Sequence, residues 1–259
     1  MFQFISNWLN RRIIRRSTVT ATQWDKALAS LPLLKGLTDS EIESLKELAI
    51  LFLHHKEFEG AHGLEVTQEM KLIIALQACL PILKLGWGGY DGWITVIIYP
   101  AGFMPTRVVR DEYGVEHHVQ SSLAGEAWQR GPVVLAWSQT EHAGIIDGHN
   151  LVIHEFAHKL DMQNGAANGF PPLHRNMSRK AWTGALSKGF DYSKRKCDLG
   201  KHIGVDCYAA SSPAEFFAVL SEVFFERPDV VKHHYPDIYD QFCQYYRQDP
   251  LARLHNQKR

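Results

Sequence analysis

The chain has almost no net charge and no cysteine pattern. Twenty-eight basic residues balance 28 acidic ones, so no long-range field draws it to nucleic acid or anionic lipid, and no direct nucleic-acid partner is expected. Its four cysteines, Cys79, Cys197, Cys207 and Cys243, are scattered and form no Cys-x-x-Cys pair. That removes the signature of a thiolate zinc site and of a disulfide framework, and it makes a reducing cytoplasm the expected compartment. No apolar run reaches the roughly 18 to 20 residues that span a bilayer. Internal repeats and low-complexity runs are missing as well. The first 16 residues mix Phe2, Phe4, Ile5, Trp8 and Leu9 with four arginines, but lack the apolar core and cleavage site of a secretion signal. A membrane-surface helix is one reading of that segment; a frayed or partner-docked arm is the simpler one and is preferred. Residues 1–20 are therefore expected to be an arm, and 21–259 a single domain.

What is present is ordinary globular composition, 45% hydrophobic and 22% charged over 259 residues, enough to bury a sizeable core. Thr38 to Glu41 has capping-box spacing and opens a helix to about His55; a second helix runs from Thr67 toward Leu83, bent or ended by Pro81. Trp93–Tyr99 and Val133–Trp137 are rich in β-branched and aromatic residues and predict strands, with a hairpin around His117 and His118 between them. Asn150 caps a mostly buried helix that stops near Asn164-Gly165. A long loop-rich stretch follows, then a helix from Ser212-Pro213 to Glu226, and a last helix from Pro236. Helices, then strands, then helices favour an α+β layout over alternating βαβ units.

The chemistry is concentrated in His154-Glu155-Phe156-Ala157-His158. Histidines four apart on a helix share one face and can hold one Zn²⁺, while Glu155 is placed to collect a proton from attacking water. Apolar residues flank the motif on both sides, where unsatisfied polar groups would be costly. A catalytic zinc usually takes three protein ligands. The extended pattern with a third nearby histidine fails, because Asp161 and Asn164 stand where its glycine and histidine would be. A carboxylate from a later helix is expected instead. Glu215 is the first candidate and Glu222, two turns on, its rival; the spacing of Ser212 to Glu215 also allows Glu215 to be merely a helix cap. The pairs His54-His55, His117-His118 and His233-His234 have no recurring carboxylate partners and read as solvated or core residues, and nothing in the spacing of Glu126 sets it apart from a surface acid.

His154–Asp161, Tyr208–Ser211, Pro213–Glu222, Phe242-Cys243-Gln244 and Gln248–Leu251 together resemble the Mlc titration factor A family. The resemblance implies a zincin-like metallopeptidase of the glutamate third-ligand type, with a small mixed sheet, an active-site helix and the site between two lobes, similar in its core to anthrax lethal factor. It implies Zn²⁺ on His154, His158 and Glu215, Glu155 as base, and Tyr208 as a hydrogen-bond donor to the developing oxyanion. It also implies aminopeptidase-type hydrolysis of peptides and binding of an Mlc-like transcriptional repressor. One departure is visible: Val219 occupies the position, four after the ligand glutamate, where many such enzymes carry the aspartate that orients a zinc histidine. That carboxylate must come from elsewhere, with Asp161 one possibility.

Overall fold

The structure, a computed structural model, describes residues 2–102, 106–110, 116–120, 125–128, 131–141, 145–201 and 203–255. Helices α1 (Phe2–Arg15), α2 (Ala21–Ala29) and α3 (Asp39–His55) lead into strand β1 (Glu57–Gly60), helix α4 (Gln68–Cys79) and strand β2 (Thr95–Tyr99). Strands β3 (Thr106–Arg110), β4 (Glu116–Gln120), β5 (Gly125–Ala127) and β6 (Val133–Ala136) follow. The rest is helical: α5 (Trp137–Thr140), α6 (Leu151–Asp161), α7 (Arg179–Asp198), α8 (Pro213–Glu226), α9 (Pro228–His234), α10 (Pro236–Tyr246) and α11 (Pro250–His255).

Local chemistry explains the boundaries. Thr38 Oγ1 accepts from Glu41 N at 3.3 Å and Glu41 Oε2 accepts from Thr38 N at 3.0 Å, the reciprocal closure expected for α3. Pro81 stands just past α4 and ends it. The main sheet has the order β1-β2-β6-β5, with β1–β2 and β2–β6 parallel and β5 an antiparallel edge. One βαβ unit, β1–α4–β2, therefore sits inside the α+β layout. Its first strand, Glu57-Phe58-Glu59-Gly60, is a short charged edge without apolar alternation, which is why sequence periodicity passes over it. β3 and β4 pair antiparallel with Val108 opposite His118, the expected hairpin; the side chains of His117, His118 and Glu126 lie outside the described residues.

Helices pack on both sides of a continuous core. Phe156 of α6 meets the rings of Phe52, Tyr90 and Trp93 at centroid distances of 5.4, 5.1 and 5.6 Å. Trp93 also lies between two buried ammonium groups, Lys56 Nζ at 3.9 Å and Lys159 Nζ at 4.7 Å from its ring centroid. Their protons are satisfied by carbonyls: Lys56 donates to Tyr90 and Trp93, and Lys159 to Trp128 and Gly131 in the β5–β6 turn. Farther round, Gln248 Nε2 donates to Leu80 O at 2.9 Å and Arg253 to Leu33 O at 3.1 Å, so residues 248–253 close against the amino-terminal helices. Among the described residues no helix is long and apolar enough to cross a membrane.

Three expectations need correction. The loop-rich stretch contains α7, 20 residues long. Only Trp182, Leu186, Gly189 and Ser193 of it are buried; two of these carry no apolar signal, and Gly189 is small because a Cβ there would lie 2.6 Å from Ile238 Cδ1. Second, Cys197 and Cys207 are bonded, their Cα atoms 5.8 Å apart, because α7 ends just past the first and the chain turns back to the second. Cys79 and Cys243 are free thiols. Third, the helix that opens at Pro236 is followed by another, α11.

Candidate metal centre

Helix α6 begins at Asn150, whose Oδ1 accepts from Ile153 N at 2.9 Å. Asn150 is buried, and its amide donates to Gln77 Oε1 at 2.8 Å and Glu226 Oε1 at 3.0 Å. A start fixed this firmly sets the rotation of the helix, and one turn later His154 and His158 face the same way with ring centroids 4.8 Å apart. Helix α8 crosses beside it. Ser212 Oγ accepts from Glu215 N at 3.2 Å to cap α8, while the Glu215 carboxylate turns to the histidines. Its Oε2 lies 3.0 Å from His154 Nε2 and 3.3 Å from His158 Nε2, and the two Nε2 atoms are 3.2 Å apart.

Glu222 reaches the opposite side of the His154 ring. Its Oε1 is 2.6 Å from Nδ1, and its Oε2 accepts from Asn150 N at 2.7 Å. Asp161 does not orient a histidine. Its carboxylate accepts from Asn168 N, Gly169 N and Phe170 N at 2.7 to 2.8 Å, folding the loop after α6, whose Gly169 lies against Pro213 at the start of α8.

This donor set fits a metal. With Nδ1–H of His154 given to Glu222, its Nε2 presents a lone pair to the Glu215 carboxylate and to His158, and only a proton or a cation among the three relieves their repulsion. Tetrahedral zinc with bonds of about 2.0 to 2.1 Å separates neighbouring ligands by about 3.3 to 3.4 Å, close to the spacings here. Among the described residues, His154, His158 and Glu215 form the one group of three or more ligating side chains able to share an ion. Burial opposes charge on His154, but Glu222 and Glu215 outweigh it and hold the imidazole pKa well above the usual histidine value. Burial likewise raises Glu215, and the hydrogen bonds and charges of the two histidines overcome it, leaving the carboxylate well below the usual range.

Glu155 is buried beside these groups. Desolvation pushes its pKa up to about 7, the pull of His154 and His158 being offset in part by Glu215 and Glu222. The edge strand passes directly over it: a Cβ on Gly125 would lie 2.4 Å from Glu155 Oε1, so only glycine leaves the carboxylate its room. Tyr208, 51% exposed, belongs to the short turn Cys207–Ala210, with its ring centroid 6.2 Å from that of His154. Sequence spacing singles out His154, Glu155 and His158 and narrows the acid to two; Gly125 and Glu226 carry no motif and escape it.

Two histidines one turn apart on α6 and a carboxylate from α8, with the buried acid Glu155 beside them, resemble the arrangement used by metal-dependent hydrolases. Residues 5–247 match the family described as Glucose-regulated metallo-peptidase M90, and the chain belongs to it. Membership in a metallopeptidase family implies a metal. The chain is similar to proteins called Mlc titration factor A from Yersinia pestis (strain Pestoides F) and Yersinia pseudotuberculosis (serotype O:1b, strain IP 31758). Each is 41% identical over 239 residues, covering 90% of this chain and 86% of the relative.

Proposed function

We propose that this protein is a zincin-like peptidase of the glutamate third-ligand type, in which His154, His158 and Glu215 hold Zn²⁺ between two lobes of a domain spanning residues 21–259, residues 1–20 being an arm. The observation that carries the reading is the meeting of those three ligating atoms, 3.0 to 3.3 Å apart, beside a carboxyl group with a pKa of about 7. Zinc, when bound, supplies Lewis acidity toward a peptide carbonyl and toward water. Glu155 accepts the proton of the attacking water at its carboxylate and delivers it to the leaving amine; a pKa near the working pH suits both transfers. Glu222 holds the His154 ring by Nδ1. Tyr208 donates its phenol hydrogen to the oxygen on which negative charge develops.

The substrates proposed are short peptides cleaved near the amino terminus, and the compartment the cytoplasm. The names of the Yersinia relatives support a second role, binding of an Mlc-like transcriptional repressor. A purely regulatory protein with a structural zinc is the competing reading; it has no use for a buried base at Glu155. Metal analysis with a peptide-library assay separates the two. His154→Ala and His158→Ala are expected to lose zinc, and Glu155→Gln to keep zinc and lose hydrolysis. Full hydrolysis by Glu155→Gln would refute the base, and no hydrolysis by the zinc-loaded wild type would favour the regulatory reading.

A further inference from the structure

The balance of charge over the whole chain hides a local excess. Ahead of Asp25 the sequence carries four arginines, Arg11, Arg12, Arg15 and Arg16, and no acid. All four are exposed, whereas Asn10, Ile13 and Ile14 are half-buried, so α1 leans on α3 by an apolar stripe and turns its arginines outward. The two helices do not close completely. Between α1, α3 and residues 87–94 lies a cleft of about 1400 Å³, above the roughly 300 to 1,000 Å³ usual for small-molecule sites.

Two kinds of chemistry line this cleft. Leu9 and Ile13 of α1, Leu53 of α3, Trp87 and Ile94 supply apolar surface. Leu9 and Ile94 are 45% and 57% exposed, and they share one concave surface instead of standing singly. Positive charge comes from Arg12 and Arg16, one helical turn apart, and from Lys56, with His54 and His55 beside them and Asp91 opposing. Lys56 is buried, its ammonium held by the carbonyls of Tyr90 and Trp93. Burial, aided by the charges of His54 and Lys56, holds the His55 pKa below the usual histidine value against the pull of Asp91. Among the described residues neither Arg12 nor Arg16 has an ion-pair partner.

We propose that this cleft binds a long-chain aliphatic carboxylate, with its chain along Leu9, Ile13, Leu53 and Ile94 and its head on Arg12 and Arg16. A guanidinium presents a planar fork that matches a carboxylate, and two of them a turn apart can share one head group. The apolar wall beside them gives the chain a place out of water. A bilayer fits the same residues less well, because the apolar stripe of α1 is already turned toward α3 and insertion would have to strip it away. The inference rests on neither the metal nor the peptidase reading.

The test is calorimetric titration of full-length, zinc-loaded protein with dodecanoate below its micelle concentration. Saturable binding of one molecule is expected, with a Kd on the order of micromolar. Decanoate should bind roughly tenfold more weakly, since each methylene removed from water is worth up to about fourfold. Neutral 1-decanol should bind at least about tenfold more weakly than decanoate, and raising the salt should weaken both carboxylates severalfold. The double variant Arg12→Glu/Arg16→Glu, and separately Ile94→Glu, change exposed positions only and should each lose about tenfold or more. Absence of saturable binding, or wild-type affinity in both variants, would overturn the proposal. So would uptake onto phosphatidylglycerol vesicles without binding of monomeric dodecanoate, which would make this face a membrane surface.

Discussion

Glu222 does two jobs with its two oxygens, holding the far nitrogen of His154 and the amide at the start of the same helix. Losing the first should loosen the metal without removing it: Glu222→Gln is expected to weaken zinc about 10- to 100-fold. Glu215→Gln, which replaces a proposed ligand, should weaken it more, and competition against a chelator measures both; the reverse order would exchange their roles. Residues 215 and 222 are two helical turns apart and share a face, so spacing alone could not tell which one meets Nε2 and which Nδ1. The hydrogen-bond geometry makes the distinction. Tyr208→Phe should retain zinc and lose about a hundredfold to a thousandfold in turnover, the usual effect of removing one oxyanion donor. A loss within about threefold at equal zinc would leave that work to the metal. Neither Gly125 nor its neighbours carry a motif, and the need for glycine there arises only from how closely a distant strand passes over Glu155.

The pairing of α6 with α8 depends on the loop after α6, which the Asp161 carboxylate folds so that Gly169 lies against the start of α8. Gly169 is at φ +75°, and a Cβ would stand 2.5 Å from Pro213 O, a backbone atom at the first turn of α8. Gly169→Ala is thus expected to cost on the order of 2 kcal/mol, from the left-handed backbone and the forced shift of α8 together. Thermal unfolding of the metal-free protein measures it, and an unchanged midpoint would mean the loop does not set α8. Helices with a conspicuous cap and an apolar face, such as α3, α6 and α8, are readable in advance. α7 is not, because two of its buried positions are Gly189 and Ser193, whose value lies in being small. Missing α7 also hid the cysteine pairing, which depends on where that helix stops.

At the scale of the molecule, buried acid makes stability depend on pH. Burial raises Glu226 to about 7, against the hydrogen bonds from Asn150 and Gly148 and with help from Asp147 and Glu222. A carboxyl whose folded pKa exceeds its unfolded value of about 4.5 binds more protons folded than unfolded. Its contribution is complete below the unfolded value and is lost as pH rises through about 7, an effect on the order of 3 kcal/mol. The metal-free protein should therefore lose stability between pH 5 and 8, and Glu226→Gln should flatten that slope; equal slopes in denaturant titrations would count against it. The proposed partner binding belongs to the surface: Glu155→Gln, altered only in a buried acid, is expected still to capture an Mlc-like repressor in a pull-down. Failure there would join the two proposed activities at one site.

The ties from Gln248 to Leu80 and from Arg253 to Leu33 cross separations of 168 and 220 residues. Ribosomal synthesis is vectorial, so every proposed zinc ligand is made before the segment that seals the amino-terminal helices. A chain released by premature termination near residue 247 would therefore carry every proposed zinc ligand while its first helices lacked their carboxy-terminal cover, open to chaperones and proteases.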